Sequence, residues 1–278
     1  MTEPQLAQQI HDDVARALEE DIGSGDITAA LIPSQHTSHA TIISREPGVL
    51  CGSDWANAVF KKLDSDCDLK WHYHDGDHIA ANTLLCELSG NARALLSGER
   101  AALNFLQTLS GTATLAKKYA EAIAGSTATI LDTRKTIPGL RAAQKYAVKC
   151  GGGENHRMGL YDAYLIKENH IHAAGSIQSA VAQARQNHAD KKIEVEVESM
   201  DELQQAIDAQ ADIVLLDNFS LDDLRQAVSL TAQRAKLEAS GNVSLNTVNA
   251  IAATGVDYIS SGELTKHLHC LDLSMRFK

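Results

Sequence analysis

The chain has 278 residues, 44% hydrophobic and 22% charged, which excludes disordered and fibrous classes and leaves room for one large or two modest domains. Its 25 basic and 36 acidic residues give a net charge of −11, which argues against nucleic-acid binding by broad counterion release. No apolar run approaches the roughly 18 residues of a membrane span. The acidic start, with Asp12, Asp13, Glu19, Glu20 and Asp21, is unlike the basic n-region of a signal peptide. Five cysteines (Cys51, Cys67, Cys86, Cys150 and Cys270) contain no CxxC pair, so the expectation is reduced thiols in a cytoplasmic protein.

Residues 1–20 predict a helix, because Leu6, Ile10, Val14 and Leu18 recur at four-residue steps. From about 38 to 90 the pattern changes to short strands at 40–44, 70–73 and 84–88, with Pro47-Gly48 and Asp75-Gly76 as turn signals. His72, His74, Asp77 and His78 surround the second turn and read as a polar hairpin rather than a zinc site. His267, His269 and Cys270 likewise lack a distant partner pattern. A helical region at 91–124 follows, with Gly98 and Gly111 as expected breaks. Residues 1–110 are therefore expected to form an N-terminal α+β domain.

After residue 127, short apolar segments alternate with amphipathic ones, and each apolar segment ends in a polar cluster. The segments are 128–131, 163–166, 193–197, 213–216, Leu237 and 258–259, with helices predicted at 200–209, 221–233 and 245–253. This rhythm predicts a parallel β/α sheet with its active site at the strand C-terminal ends. About 140 residues give about six units, too few for a closed eight-fold barrel of roughly 250 residues. An incomplete barrel or an open doubly wound sheet fits better; the fold class expected is α/β, an incomplete, open β/α barrel of six to seven strands over 111–267, with 268–278 as a tail returning to the N-terminal domain. Along 193–198, Glu194, Glu196 and Glu198 alternate with Ile193, Val195 and Val197. Either an exposed edge strand or a barrel strand with its carboxylates at the mouth explains that pattern.

Between Arg134 and Lys167 lie seven basic and two acidic residues, so that window is +5 and the remainder −16. A basic island in an acidic protein suggests a focused pocket for a small anion. Arg141, Lys145 and Lys149, four apart, read instead as a solvated helix face. Arg134, Lys135, Arg157 and Lys167 sit at strand ends or beside the Gly151-Gly-Gly153 turn, which lacks the GK[ST] of a Walker A loop. Lys167 could also suggest a Schiff-base lysine, although anion binding is the simpler use of it.

Residues 131–141, Leu-Asp-Thr-Arg-Lys-Thr-Ile-Pro-Gly-Leu-Arg, and 145–162, Lys-Tyr-Ala-Val-Lys-Cys-Gly-Gly-Gly-Glu-Asn-His-Arg-Met-Gly-Leu-Tyr-Asp, carry a specific likeness. With 20–28, 99–104, 165–170, 194–198 and 255–264, the chain resembles the quinolinate phosphoribosyltransferases, also called carboxylating nicotinate-nucleotide pyrophosphorylases, nearly end to end. The resemblance implies a cytoplasmic enzyme of NAD biosynthesis acting on quinolinate and phosphoribosyl pyrophosphate with Mg2+. It implies a homodimer or higher oligomer with a shared site, and neither nucleic-acid nor membrane partners. By the same resemblance Arg100, Arg134, His156, Arg157 and Lys167 contact quinolinate, Lys135 sits on the diphosphate, and Thr133 is among the substrate-binding residues. Glu196 and Asp217 lie near the ribose and approach magnesium indirectly, through substrate; Lys135, Glu196 and Asp217 form the catalytic set. Ser240, Gly241 and Asn242, with Ser261, Gly262 and Glu263, cradle the 5-phosphate. Glu263 departs from the small residue of the family pattern. It is expected to turn away and leave the amides of Ser261 and Gly262 to bind. A phosphoribosyltransferase for another anionic acceptor and a non-catalytic sugar-phosphate sensor are the competing readings.

Overall fold

A computed structural model describes residues 2–278. In chain order the first elements are α1 (Glu3–Ile22), β1 (Thr37–Ser44), β2 (Gly48–Val49), α2 (Ser53–Leu63), β3 (Asp68–Trp71), β4 (His78–Ile79), β5 (Thr83–Asn91) and α3 (Ala92–Ala122). Then come β6 (Thr129–Leu131), α4 (Arg141–Cys150), β7 (Tyr164–Ile166), α5 (Glu168–Ala174), α6 (Ile177–Asn187), β8 (Ile193–Val197) and α7 (Met200–Asp208). The chain closes with β9 (Ile213–Asp217), α8 (Leu221–Thr231), β10 (Lys236–Ser240), α9 (Val248–Ala252), β11 (Tyr258–Ser260), α10 (Glu263–Lys266) and β12 (Leu273–Phe277).

Two compact units result. One takes the chain through Lys117 together with Thr136–Gly152 and His267–Lys278; the other comprises Lys118–Lys135 and Gly153–Lys266. The predicted division at 110/111 falls inside α3, which runs unbroken through both Gly98 and Gly111. Helix α4 groups with the first unit because its Ala143 and Ala147 are part of that unit's core.

The first unit holds an antiparallel sheet in the order β12-β1-β5-β3, so the C-terminal tail supplies an edge strand beside β1. Helix α1 buries Ile10, Val14 and Leu18, three of the four residues whose spacing predicts it. The segment 72–78 is a turn rather than the expected hairpin, since β3 pairs with β5 while β4 pairs with β2. Among the described residues, neither predicted histidine cluster forms a metal-holding group. The stripe on α4 is solvated only in part: Lys149 is exposed and Arg141 half-buried, whereas Lys145 is 1% exposed. It is bonded within the fold instead.

Gly111 serves close packing, not helix termination. A Cβ there would collide with the carbonyl oxygen of His269, in the segment leading to β12. Gly111→Ala is expected to destabilise by about 1–3 kcal/mol, as overpacking against a fixed backbone does. A urea midpoint equal to that of the parent would contradict this account.

The second unit is a six-stranded sheet in the order β6-β11-β10-β9-β8-β7, parallel at every pairing. A parallel bridge from Leu131 to Glu154 extends it beyond β6. This is an open sheet of the expected six to seven strands. Ser176, Ser199 and Ser220 cap α6, α7 and α8, each accepting the third helical N–H. Strand β8 lies between β7 and β9, so its glutamates are not an edge device. Ile193, Val195 and Val197 are fully buried on the other face, which leaves Glu194 and Glu196 on the carboxylate side.

Candidate active site at the strand ends

The chain leaves β6 through buried Asp132, which organises the second arm of the site. One carboxylate oxygen accepts the backbone N–H of His156 at 3.0 Å, and the other accepts Asn155 Nδ2 at 2.6 Å. His156 Nδ1 accepts the N–H of Arg157 at 2.8 Å. That bond assigns the ring proton to Nε2, which lies 2.9 Å from Glu194 Oε2 and 3.7 Å from Glu238 Oε2. Both glutamates are buried, and among the described residues neither Glu194 Oε1 nor either Glu238 oxygen has a hydrogen-bond partner.

A buried carboxylate beside another resists ionisation. Burial first, and then the charge of Glu194, push Glu238 up to about 8, against a smaller opposing effect of His156. Glu238 is therefore protonated at neutral pH. Because its folded pKa is raised, it stabilises the fold fully below about 4.5 and loses that contribution as pH rises through 8. Glu238→Gln, which cannot ionise, is expected to flatten a fall on the order of 4 kcal/mol across that window. Denaturant unfolding of both proteins at pH 5 and pH 9 measures it; parallel pH profiles would refute it. The donor atoms of His156, Glu194 and Glu238 lie within 4.8 Å of one another, so the set could also hold a small cation.

The cationic part of the site follows directly. Arg157 Nη1 donates to Ala163 O at 3.1 Å, while its buried Nε has no hydrogen-bond partner among the described residues. Burial and then the neighbouring charge of Arg134 lower its pKa. The charge of Arg134 is thus felt at the half-buried guanidinium of Arg157. Lys167, just beyond β7, pairs with Glu196 of β8. An ammonium held in an ion pair is not the apolar, isolated setting of a Schiff-base lysine. Asp217 ends β9 and accepts from Asn218 Nδ2 at 2.9 Å.

A cavity of about 350 Å³ opens beyond β10 and β11. Thr133, Lys135, Ser240, Gly241, Asn242 and the 261–263 turn line it, together with Lys266. Gly241 has φ +89, and a Cβ there would strike the side-chain amide of Asn218, so only glycine fits. Asn242 Nδ2 donates to that same Asn218 Oδ1 at 3.2 Å. The expectation that the Ser261 amide binds ligand needs correction, because Ser261 N–H is already spent on Leu131 O at 3.0 Å. Among the described residues, the amides of Gly241, Asn242 and Gly262, which line the same cavity, have no hydrogen-bond partner. Glu263 is held by the hydroxyl of buried Tyr119, which donates to Oε2 at 2.5 Å. Burial and that carboxylate push the Tyr119 phenol far up, so it stays a donor.

Arg100 is exposed on α3, in the first unit, and makes no hydrogen bond or ion pair among the described residues. The local pair with Glu99 is absent. The structure thus gathers Thr133, Lys135, Ser240, Gly241, Asn242, Ser261, Gly262 and Glu263 around one cavity, and joins His156 to Arg157 and Lys167 to Glu196. Sequence reasoning missed Asp132, Asn218, Glu238, Lys266 and Tyr119. Glu238 had a signal: it alternates with apolar Leu237 and Ala239 as Glu194 does with its neighbours.

An open parallel β/α sheet whose strand ends carry clustered cations and a phosphate-sized cradle defines a barrel-type α/β enzyme for anionic substrates. Comparison with known proteins makes this specific. Residues 112–276 match the C-terminal domain of quinolinate phosphoribosyl transferase, and residues 26–110 match its N-terminal domain. A Synechocystis protein named probable nicotinate-nucleotide pyrophosphorylase (carboxylating) is 44% identical over 263 residues, 93% of this chain and 89% of its own. A Bacillus subtilis protein of the same name is 44% identical over 257 residues, covering 92% and 89%. The structure of the nicotinate-nucleotide pyrophosphorylase from Francisella tularensis superposes with a TM-score of 0.95 at 50% identity, over 98% of this chain and 97% of that one. The chain belongs to the quinolinate phosphoribosyltransferase family.

Proposed function

We propose that this chain transfers the phosphoribosyl group of phosphoribosyl pyrophosphate to quinolinate with loss of CO2. The products are nicotinate mononucleotide and pyrophosphate, in NAD biosynthesis. The observation that carries the acceptor assignment is the Arg134–Arg157 pair, partly desolvated and with a buried Nε left unpaired on Arg157. Like charges confined this way are relieved by a dianion, and a pyridine dicarboxylate supplies one. Arginine forks suit carboxylates. His156 joins them, with its tautomer set by Arg157 and Glu194.

In this reading the 5-phosphate takes the amides of Gly241, Asn242 and Gly262, while Lys135 holds the diphosphate. The ribose C1–oxygen bond breaks with its electron pair leaving on pyrophosphate, and the quinolinate nitrogen forms the new bond to C1. Glu196 and Asp217, preset at their strand ends, stabilise the cationic character that develops at the ribose. Loss of CO2 leaves an electron pair on the ring carbon beside the new pyridinium nitrogen, which stabilises it, and a proton from solvent completes the product. No side-chain base is needed for that step. Glu196 and Asp217 are hard oxygen donors that already have protein partners, which suits magnesium arriving on the diphosphate rather than an all-protein cage. The metal would supply charge neutralisation of the leaving group.

The enzyme is proposed to be cytoplasmic and a homodimer, with Arg100 completing the quinolinate pocket of the neighbouring subunit. Among the described residues no helix is long and apolar enough to cross a membrane.

The experiment is a division of roles. Lys135→Ala is expected to weaken phosphoribosyl pyrophosphate most and Arg157→Ala quinolinate most. Each should lose about 2–4 kcal/mol of transition-state stabilisation. Steady-state kinetics with each substrate varied would show it. If both variants raise only the quinolinate KM, the assignment of Lys135 is wrong.

A further inference from the structure

Cys51 and Cys150 lie far apart in sequence and outside the chemistry described above. Cys51 sits between β2 and α2, and Cys150 is the last residue of α4. Their Sγ atoms and an oxygen of Asp75 all lie within 4.8 Å of one another. We propose that Cys51 and Cys150 are a redox pair that closes to an internal disulfide when the protein meets a disulfide oxidant.

The surroundings hold both partners in place. Cys51 is fully buried; its N–H donates to Ser110 Oγ at 2.9 Å and its carbonyl accepts that hydroxyl at 3.1 Å. The 74–77 turn is pinned beside it, Gly76 N–H donating to Leu50 O at 2.8 Å and Leu50 N–H to Asp77 O at 3.0 Å. A Cβ on Gly76 would touch the carbonyl oxygen of Cys150 at 3.5 Å, so the same turn abuts the end of α4. Tyr146, one turn earlier on α4, donates to Asp75 Oδ2 at 3.0 Å. An S–S bond is about 2.05 Å long, so closure asks for side-chain rotation within this frame.

The two thiols are not equivalent. Burial pushes Cys51 well up, whereas the hydrogen bond with Cys51 lowers Cys150, which is also the partly exposed member. Cys150 is therefore the attacking thiolate. It attacks one sulfur of a small disulfide RSSR and releases RS⁻, which takes up a proton to leave as RSH. Cys51 gives up its proton, attacks the Cys150 sulfur of the mixed disulfide and releases the second thiol. Two electrons and two protons pass from the pair to the oxidant. Burial, which pushes Cys67 and Cys86 up to about 11 and about 12, disfavours either as the attacking thiol, and neither belongs to the cluster around Asp75. A metal reading is weaker, because Asp75 already accepts from Gly52 N–H, Ser53 N–H and Tyr146, and only three ligands converge.

The test uses the full reduced chain with oxidised glutathione, followed by digestion without reductant and mass spectrometry. A cross-linked peptide pair containing Cys51 and Cys150 is expected. The urea midpoint should rise, because the bond closes a loop of roughly 100 residues, and should return with dithiothreitol. Cys51→Ser should instead accumulate a glutathione adduct on Cys150, Cys150→Ser should form neither product, and Cys67→Ser should behave as the parent. An adduct on Cys150 of the parent with no cross-link would overturn the proposal. So would a cross-link through Cys67, Cys86 or Cys270, or stoichiometric zinc that blocks oxidation.

Discussion

Nicotinate, with a single carboxylate, is expected to be used at least about 30-fold less efficiently than quinolinate. The proposed role of Arg134 and Arg157 is to meet two negative charges, and a monocarboxylate leaves one of those positive charges unmatched by the ligand. Truncating one member of a buried charge-assisted contact costs roughly 2–5 kcal/mol, and each 1.4 kcal/mol is tenfold in rate. Removing the charge from the ligand instead of the protein should cost a similar amount. Chemistry adds to the gap: without the carboxylate beside the ring nitrogen there is no CO2 to lose, so the reaction lacks its irreversible step. Incubation with phosphoribosyl pyrophosphate, magnesium and each acid, following nucleotide and labelled CO2, measures the ratio. Comparable turnover of the two acids would sink the quinolinate assignment, and the Arg134–Arg157 pair would need another ligand.

The barrel half of the fold was readable because each strand is a short apolar run stopped by polar residues. β8 was predicted at its observed bounds, Ile193–Val197, for that reason. The long-range requirements were not readable. Gly111 looks like a helix break until the His269 carbonyl is placed against it, and nothing within a helical window announces that neighbour. Lys145 fails in the same way: spacing put it on a charged stripe, while packing of α4 into the first unit enclosed it. In the site, the motif supplied identities but not hydrogen-bond economy. Ser261 lies at the cradle, yet its amide is consumed by Leu131 O, and the donors left over belong to Gly241, Asn242 and Gly262. Glu238 escaped notice because one carboxylate in a strand is ordinary. Its significance comes from Glu194 on a strand two places away across the sheet, with β9 between them.

Arg100→Ala and Lys135→Ala chains, each nearly inactive alone, are expected to recover activity when they share a dimer. Arg100 is the one acceptor residue proposed from α3, remote in sequence from the strand ends, and it is exposed with no bonded partner among the described residues. An arginine so placed serves a neighbouring subunit, its own chain's site or no site, and the mixed dimer separates the first from the other two. If it reaches the partner's barrel mouth, a mixed dimer collects both defects in one site and neither in the other. Random exchange at equal amounts makes about half the dimers mixed, and each carries one intact site of two, so about a quarter of parental activity should return. The two variants are unfolded and refolded together, and assayed beside each refolded by itself. Distinct affinity tags on the two chains prove that mixed dimers formed. Inactive mixed dimers would confine Arg100 to its own chain's site or to none, and would remove it from the proposed quinolinate pocket. A stable monomer with full activity would remove the shared site altogether, leaving Arg134, His156, Arg157 and Lys167 to bind the acceptor within a single chain.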